Sequence, residues 1–173
     1  FVSKFMGTLD AFRQVVGNTM AFVEPTTTEG LPNVACGVIP IVFAVLFMTS
    51  SKVKLREKLF NGGLLIFLIL SFIIRALDYM WHGFHFTNMI PYRFSYLVSF
   101  VMVAMAFRAL SVIDFSNYFD LIITTLATAV IIIMGIGVHE DTLVPIITTS
   151  ILAAVIIGLL FMWRSGAIIK PML

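Results

Sequence analysis

The run LVPIITTSILAAVIIGLLFMW, residues 143–163, contains 21 residues and no charged side chain. A helix of that length reaches across a hydrocarbon core of about 30 Å. Its closing Trp163 is of the kind that anchors a helix at a membrane interface. The rest of the chain shares this character. Of its 173 residues 60% are hydrophobic and 12% charged, with mean hydropathy +1.06. A soluble domain carries about 25% charge, and a disordered chain lacks this many apolar residues. The reading is an integral membrane protein. A formal charge of +2 is too small to suggest nucleic acid as a partner.

Four more apolar segments precede that run, at about 34–48, 60–77, 91–109 and 119–138. The expected fold is all-α, a polytopic transmembrane helical bundle with five spans in residues 34–173. Pro40 is expected to kink the first span or to mark where it becomes regular. Ahead of the bundle, Phe1, Phe5, Leu9, Phe12 and Val16 recur at helical spacing, broken by Lys4 and Arg13. That pattern suits an amphipathic interfacial segment, or equally a packed outer helix. Residues 18–33, with Pro25, Gly30 and Pro32, read as an exposed loop. The chain begins at Phe1 and ends close after an apolar segment, so a piece of a longer polypeptide is expected. The lone Cys36 leaves no internal disulfide to consider.

Basic residues sort between the two sets of loops. One set holds Lys52, Lys54, Arg56 and Lys58 in a short basic hairpin, with Arg108, Arg164 and Lys170. By the positive-inside rule that side is cytoplasmic, and the topology is N-out, C-in. The stretch between the second and third spans, Asp78 to Arg93, then faces outward. Thr124, Thr125 and Thr128 on the fourth span, and Thr148, Thr149 and Ser150 on the fifth, are expected to bond neighbouring helices.

Asp78–Arg93 (DYMWHGFHFTNMIPYR) concentrates two of the three histidines, an acid, a base, an amide and several aromatics. If the second helix continues outward, Arg75, Asp78, His82 and His85 share one face, with Gly83 breaking the helix near its end. Arg75 is costly near the membrane unless paired, and Asp78 is its expected partner. On the far side, Asn88 or Thr87 can cap the third helix, with Pro91 in its first turn. Arg93 beside that positive helix end suits an anion such as phosphate. Tyr92, Tyr96 and Ser99 would descend as a polar stripe. Plainer readings stand beside each of these. Arg93 can snorkel to head groups, Asp78–Arg75 can be a structural pair, and Trp81, Phe84 and Phe86 can be interfacial aromatics. His82 and His85 have metal-ligand spacing, but no further ligand completes a site. No metal residue is assigned.

Trp81-His82-Gly83-Phe84-His85-Phe86, followed by Asn88 and Pro91-Tyr92-Arg93-Phe94-Ser95, resembles the signature of the bacterial YfhO family of membrane proteins. Leu31 to Gly37 and Arg56-Glu57-Lys58 fit as well, so the resemblance covers about residues 30–110. Residues 111–173 resemble the family in hydrophobicity only. Thr87 stands where many members have proline, and Ala35 where a bulkier residue is usual. The resemblance implies a glycosyltransferase of the C superfamily. Such an enzyme transfers sugar from a polyprenyl-phosphate carrier to a cell-surface polymer such as teichoic acid, on the outer face of the bacterial cell membrane. The implied partners are that donor, that acceptor and the lipid bilayer. Asp78 and His82 are the expected catalytic residues, and Arg75, Trp81, His85, Asn88, Tyr92, Arg93 and Tyr96 the expected substrate-binding ones. In the superfamily the catalytic acid lies in the first outer loop, expected outside this chain, so the piece alone is expected to be inactive. No cofactor is expected, with a divalent metal left open. The alternative is a transporter or flippase for a lipid-linked sugar, moving it along the Tyr92–Tyr96–Ser99 stripe.

Overall fold

The structure, a computed structural model, describes residues 16–17, 19–20, 32–85, 92–113, 117–136 and 143–167. Among these there is no strand. Six α-helices follow in order: α1 (Val38–Thr49), α2 (Leu55–Ser71), α3 (Arg75–Trp81), α4 (Tyr96–Leu110), α5 (Tyr118–Met134) and α6 (Leu143–Ser165), with a 3-10 turn at Arg93–Ser95 leading into α4. Most of the leading amphipathic segment, most of the 18–33 loop, Phe86, Thr87, Asn88, Pro91 and Lys170 lie outside the described residues.

The centre of the bundle is α1. Its Val38, Ile41, Val42, Phe43, Ala44, Leu46 and Phe47 are buried, and α2, α4, α5 and α6 all pack on it, α4 most extensively. Ile39 and Met48 stay exposed, but most of this all-round apolar helix is covered by neighbours. Gly37 precedes it at φ +85°, a conformation that favours glycine. Pro40 sits in the first turn, where no intrahelical hydrogen bond is lost, and so marks where the helix becomes regular.

Around this core the other helices are built inside out. On α4 the buried Val98, Val101, Met105 and Ala109 recur at three and four residues. The opposite face exposes Tyr96, Phe100, Val103, Phe107 and Leu110. On α5 the inward residues are Asp120, Leu121, Thr124 and Thr128, while Ile122, Leu126, Val130 and Ile133 face out. Small or polar Thr149 and Ala153 of α6 point inward, leaving Ile147, Ile151, Val155 and Leu159 exposed. Water would not tolerate apolar faces this continuous, whereas lipid favours them, with small residues at the helix contacts. A helix lies in each of the five apolar segments. Two of them, Arg93–Leu110 and the 23-residue Leu143–Ser165, have both the length and the apolarity to cross a membrane. The second extends about 34 Å at 1.5 Å per residue. Val38–Thr49 and Tyr118–Met134 are apolar but shorter.

The segment expected as the second span differs most. Its helix starts at Leu55 rather than Phe60, taking Arg56, Glu57 and Lys58 out of the expected hairpin and into its first turn. It stops at Ser71, and a turn at 72–74 separates it from α3. The second helix therefore does not run on unbroken into the Asp78 stretch. Buried Phe72 lies at the break, its ring held by two aromatic neighbours described below.

Polar contacts gather the loops at two ends. At one, Glu57 takes a two-pronged contact from Arg108, Nε to Oε2 at 2.7 Å and Nη2 to Oε1 at 3.2 Å. Ser51 donates its N–H and hydroxyl to Asp120 Oδ2 at 3.0 and 3.1 Å, and Asn117 donates to Ser51 Oγ at 3.2 Å. Thr49 and Thr124 share a 2.7 Å hydrogen bond, an interhelical bond of the kind expected for the threonines. Thr125 instead bonds Leu121 O of its own helix. Arg164 lies over the Tyr118 ring at 5.6 Å, and Phe161 stacks on it. Lys52, Lys54, Arg56, Lys58, Arg108 and Arg164 thus share one end. The break at 72–74, α3 and the start of α4 form the other.

Asp120 is 3% exposed and accepts both the Ser51 backbone N–H and its hydroxyl. Replacing Asp120 by Ala removes both bonds to a charged acceptor, each worth about 1.5–3 kcal/mol. Thermal unfolding in detergent should fall by several degrees, while Ser51→Ala, which keeps the backbone bond, should lose clearly less. Equal melting of wild type and Asp120→Ala would contradict this role.

Candidate functional site

Helix α3 ends in a glycine-dependent cap. Gly83 at φ +66° donates to Met80 O at 3.1 Å, and Phe84 donates to Tyr79 O at 3.0 Å. Those two bonds define a Schellman motif, and its usual apolar contact is the Tyr79–Phe84 ring pair, 5.8 Å apart. Gly83 breaks the helix as expected. Phe84 is itself at φ +60°, a strained setting for a bulky residue. His85 falls beyond the cap, outside the helix, so it does not continue the face of Asp78 and His82.

Asp78 and His82 lie one turn apart. His82 Nδ1 is 2.8 Å from the Asp78 carbonyl oxygen and 3.3 Å from Asp78 Oδ1. A carbonyl oxygen only accepts, which assigns the proton to Nδ1. In the neutral ring Nε2 is then a free lone pair. It is buried with no hydrogen-bond partner among the described residues, as is Asp78 Oδ1. Burial pushes the Asp78 carboxyl above the ordinary carboxylate range, and His82 partly opposes it. Asp78 thus pairs with His82. The backbone of Arg75 opens α3, and its side chain lies outside what is described.

The other wall comes from the start of α4, in a form the sequence did not suggest. Tyr92 is left-handed, at φ 62° and ψ 34°, and the helix begins after it as a 3-10 turn at Arg93, with no side-chain cap. The left-handed residue directs the Tyr92 ring inward, edge-on to Phe72 at 5.4 Å, while Tyr96 is 64% exposed. The expected Tyr92–Tyr96–Ser99 stripe is therefore divided, because residues four apart share a face only along an unbroken helix.

Phe94 joins the two walls. It is 4% exposed and stacks on Phe72 at 5.0 Å and on Trp81 at 5.1 Å, with the His82 ring edge-on at 6.2 Å. Phe67 approaches Trp81 from α2. Trp81, expected as a ligand or interfacial aromatic, has one face taken by Phe94 and remains 40% exposed. Arg93, between Tyr92 and Phe94, is exposed and makes no hydrogen bond or ion pair among the described residues. The structure brings together Asp78, Trp81, His82, Tyr92 and the Arg93 turn.

Sequence reasoning passed over Phe72 and Phe94, whose partners come from separate helices and leave no local pattern. It also passed over Asp120, which did carry a signal: a carboxylate at the start of an apolar run needs a partner.

No curated protein and no solved structure matches the chain. A family model does, described as Bacterial membrane protein YfhO, over residues 3–171. The match takes in residues 111–171, where the resemblance rested on hydrophobicity alone. With its inside-out helices and aromatic-walled end, the chain belongs to the YfhO family of bacterial membrane proteins.

Proposed function

We propose that the protein is an integral-membrane glycosyltransferase, moving a sugar from a polyprenyl-phosphate carrier to a cell-surface polymer such as teichoic acid. One observation carries the reading most. A half-buried Asp–His pair, whose Nε2 has no hydrogen-bond partner among the described residues, and a guanidinium with no ion pair among them stand at the same end of the bundle, opposite the end that gathers the lysines. By the positive-inside rule the lysine end is cytoplasmic, and the Asp78–Arg93 end faces out across a five-span bundle.

In this reading His82 Nε2 takes the proton from an acceptor hydroxyl, with Asp78 stabilising the imidazolium that forms. The acceptor oxygen bonds to the anomeric carbon as the bond from that carbon to the phosphate oxygen breaks. The electron pair leaves with the polyprenyl phosphate, and Arg93 offsets its negative charge. Tyr96 and the free face of Trp81 suit a sugar or a prenyl chain. Arg75, His85 and Asn88 remain proposed contacts to the substrates. The flippase reading loses support, since the stripe it would use is divided at Tyr92.

Arg93→Ala in the intact protein should lower transfer from polyprenyl-phosphate sugar about 10²–10³-fold, the usual effect of removing one charge-stabilising donor, without reducing expression. Turnover at the wild-type rate would rule out the phosphate role. Asp78 must be ionised to act, and burial raises its pKa, so activity should fall with acidification at a pH above about 3.9, the ordinary aspartate value. Asp78→Asn should remove most of the rate. Turnover at the wild-type rate would remove Asp78 from the reaction.

A further inference from the structure

We infer that the start of α2 is a binding site for an anionic phospholipid of the basic-end leaflet, with the head group on Lys54 and Arg56 and an acyl chain along Leu59 and Phe60. This inference is independent of the transfer reading and needs only the membrane bundle. Lys52, Lys54 and Arg56 are exposed, and none makes an ion pair among the described residues. The one acid among them, Glu57, is engaged by Arg108 from α4. That bond, with a smaller contribution from the Lys54 charge, holds its carboxyl below the usual range. Glu57 therefore stays ionised but turned to a partner of its own, and the neighbouring cations keep most of their charge for a ligand.

Directly below the cations the helix surface becomes apolar without becoming buried. Leu55, Leu59 and Phe60 are 69%, 66% and 72% exposed. They line an open depression with Arg56, Glu57 and Asn61. Arg56 and Phe60 are four residues apart on one ridge, about 6 Å along the axis, as are Leu55 and Leu59. Each ridge runs from the charged end of the bundle toward its apolar flank. A diacyl lipid has the same order, phosphate first and hydrocarbon next. Asn61 is not free to compete, because its amide donates to Glu57 O at 2.9 Å. The complementarity in charge selects an anionic head group over a zwitterionic one, since juxtamembrane cations attract anionic lipid at about 1 kcal/mol each.

The test is binding of fluorescent phosphatidylglycerol to the intact protein in neutral detergent, with fluorescent phosphatidylcholine as the control lipid. Phosphatidylglycerol should bind in preference. The pair K54Q/R56Q should weaken it roughly 25-fold, about five-fold per charge, while K54R/R56K should restore it. Leu59→Ala with Phe60→Ala should also weaken it, with the charges intact. Arg164→Gln, which removes a cation of the same end from α6, should leave it unchanged. Equal binding of the two lipids would overturn the proposal, and so would an equal loss in Arg164→Gln, which would indicate net charge alone. Displacement by glycerol phosphate as effective as by phosphatidylglycerol would overturn it too, because the acyl chain would then contribute nothing.

Discussion

The bundle depends on the enclosure of α1. This twelve-residue helix is too short to cross a 30 Å core unaided, yet α2, α4, α5 and α6 all pack on it. In lipid there is no hydrophobic drive between helices, so close packing and interhelical hydrogen bonds must hold them. Phe43, Leu46 and Phe47 supply contact area on α1. Ala106 and Ala109 of α4 and Ala153 of α6 supply the close approach. Some polar groups enter in pairs, as with Thr49 and Thr124 or Ser51 and Asp120, whereas Thr128 Oγ1 is buried with no hydrogen-bond partner among the described residues.

The two ends of this bundle use different chemistry for the same purpose. The basic end uses charge: Glu57 bonds Arg108 between helices, Asp120 holds the Ser51 loop, and Arg164 lies over the Tyr118 ring. The opposite end uses ring stacking, with Phe94 between Phe72 and Trp81. Among the described residues His82 Nε2 and Asp78 Oδ1 have no hydrogen-bond partner, an arrangement that costs stability and is common where a reacting group must be met. Left-handed Phe84 and Tyr92 bracket the same region, and backbone strain of this kind clusters at working sites.

Much of this was legible in the residues. The membrane class followed from apolar runs with almost no charge, and the sharing of one end by the basic loops followed from counting spans. Gly83 announced the end of a helix, and Pro40 the start of one. The concentration of Asp78, Trp81, His82 and Arg93 in one stretch was visible before any contact was known. What misled was the assumption that helical spacing carries on wherever the sequence allows it. The break at 72–74 has no proline or glycine to mark it. Tyr92 adopts a left-handed backbone that its side chain gives no reason to expect.

By itself, then, the sequence determined quantities that depend on composition and on local spacing: a lipid-facing all-helical chain, its apolar segments, its cap at Gly83 and its charge asymmetry. Tertiary structure alone decided which groups meet. Asp78 pairs with His82, Glu57 finds Arg108 fifty-one residues away, and Asp120 holds a loop. Phe94 joins α2, α3 and α4 into one wall. The reason is physical. Hydropathy and capping act within a few residues, whereas a buried ring or carboxylate takes its partner from whatever helix packing brings within a few ångströms.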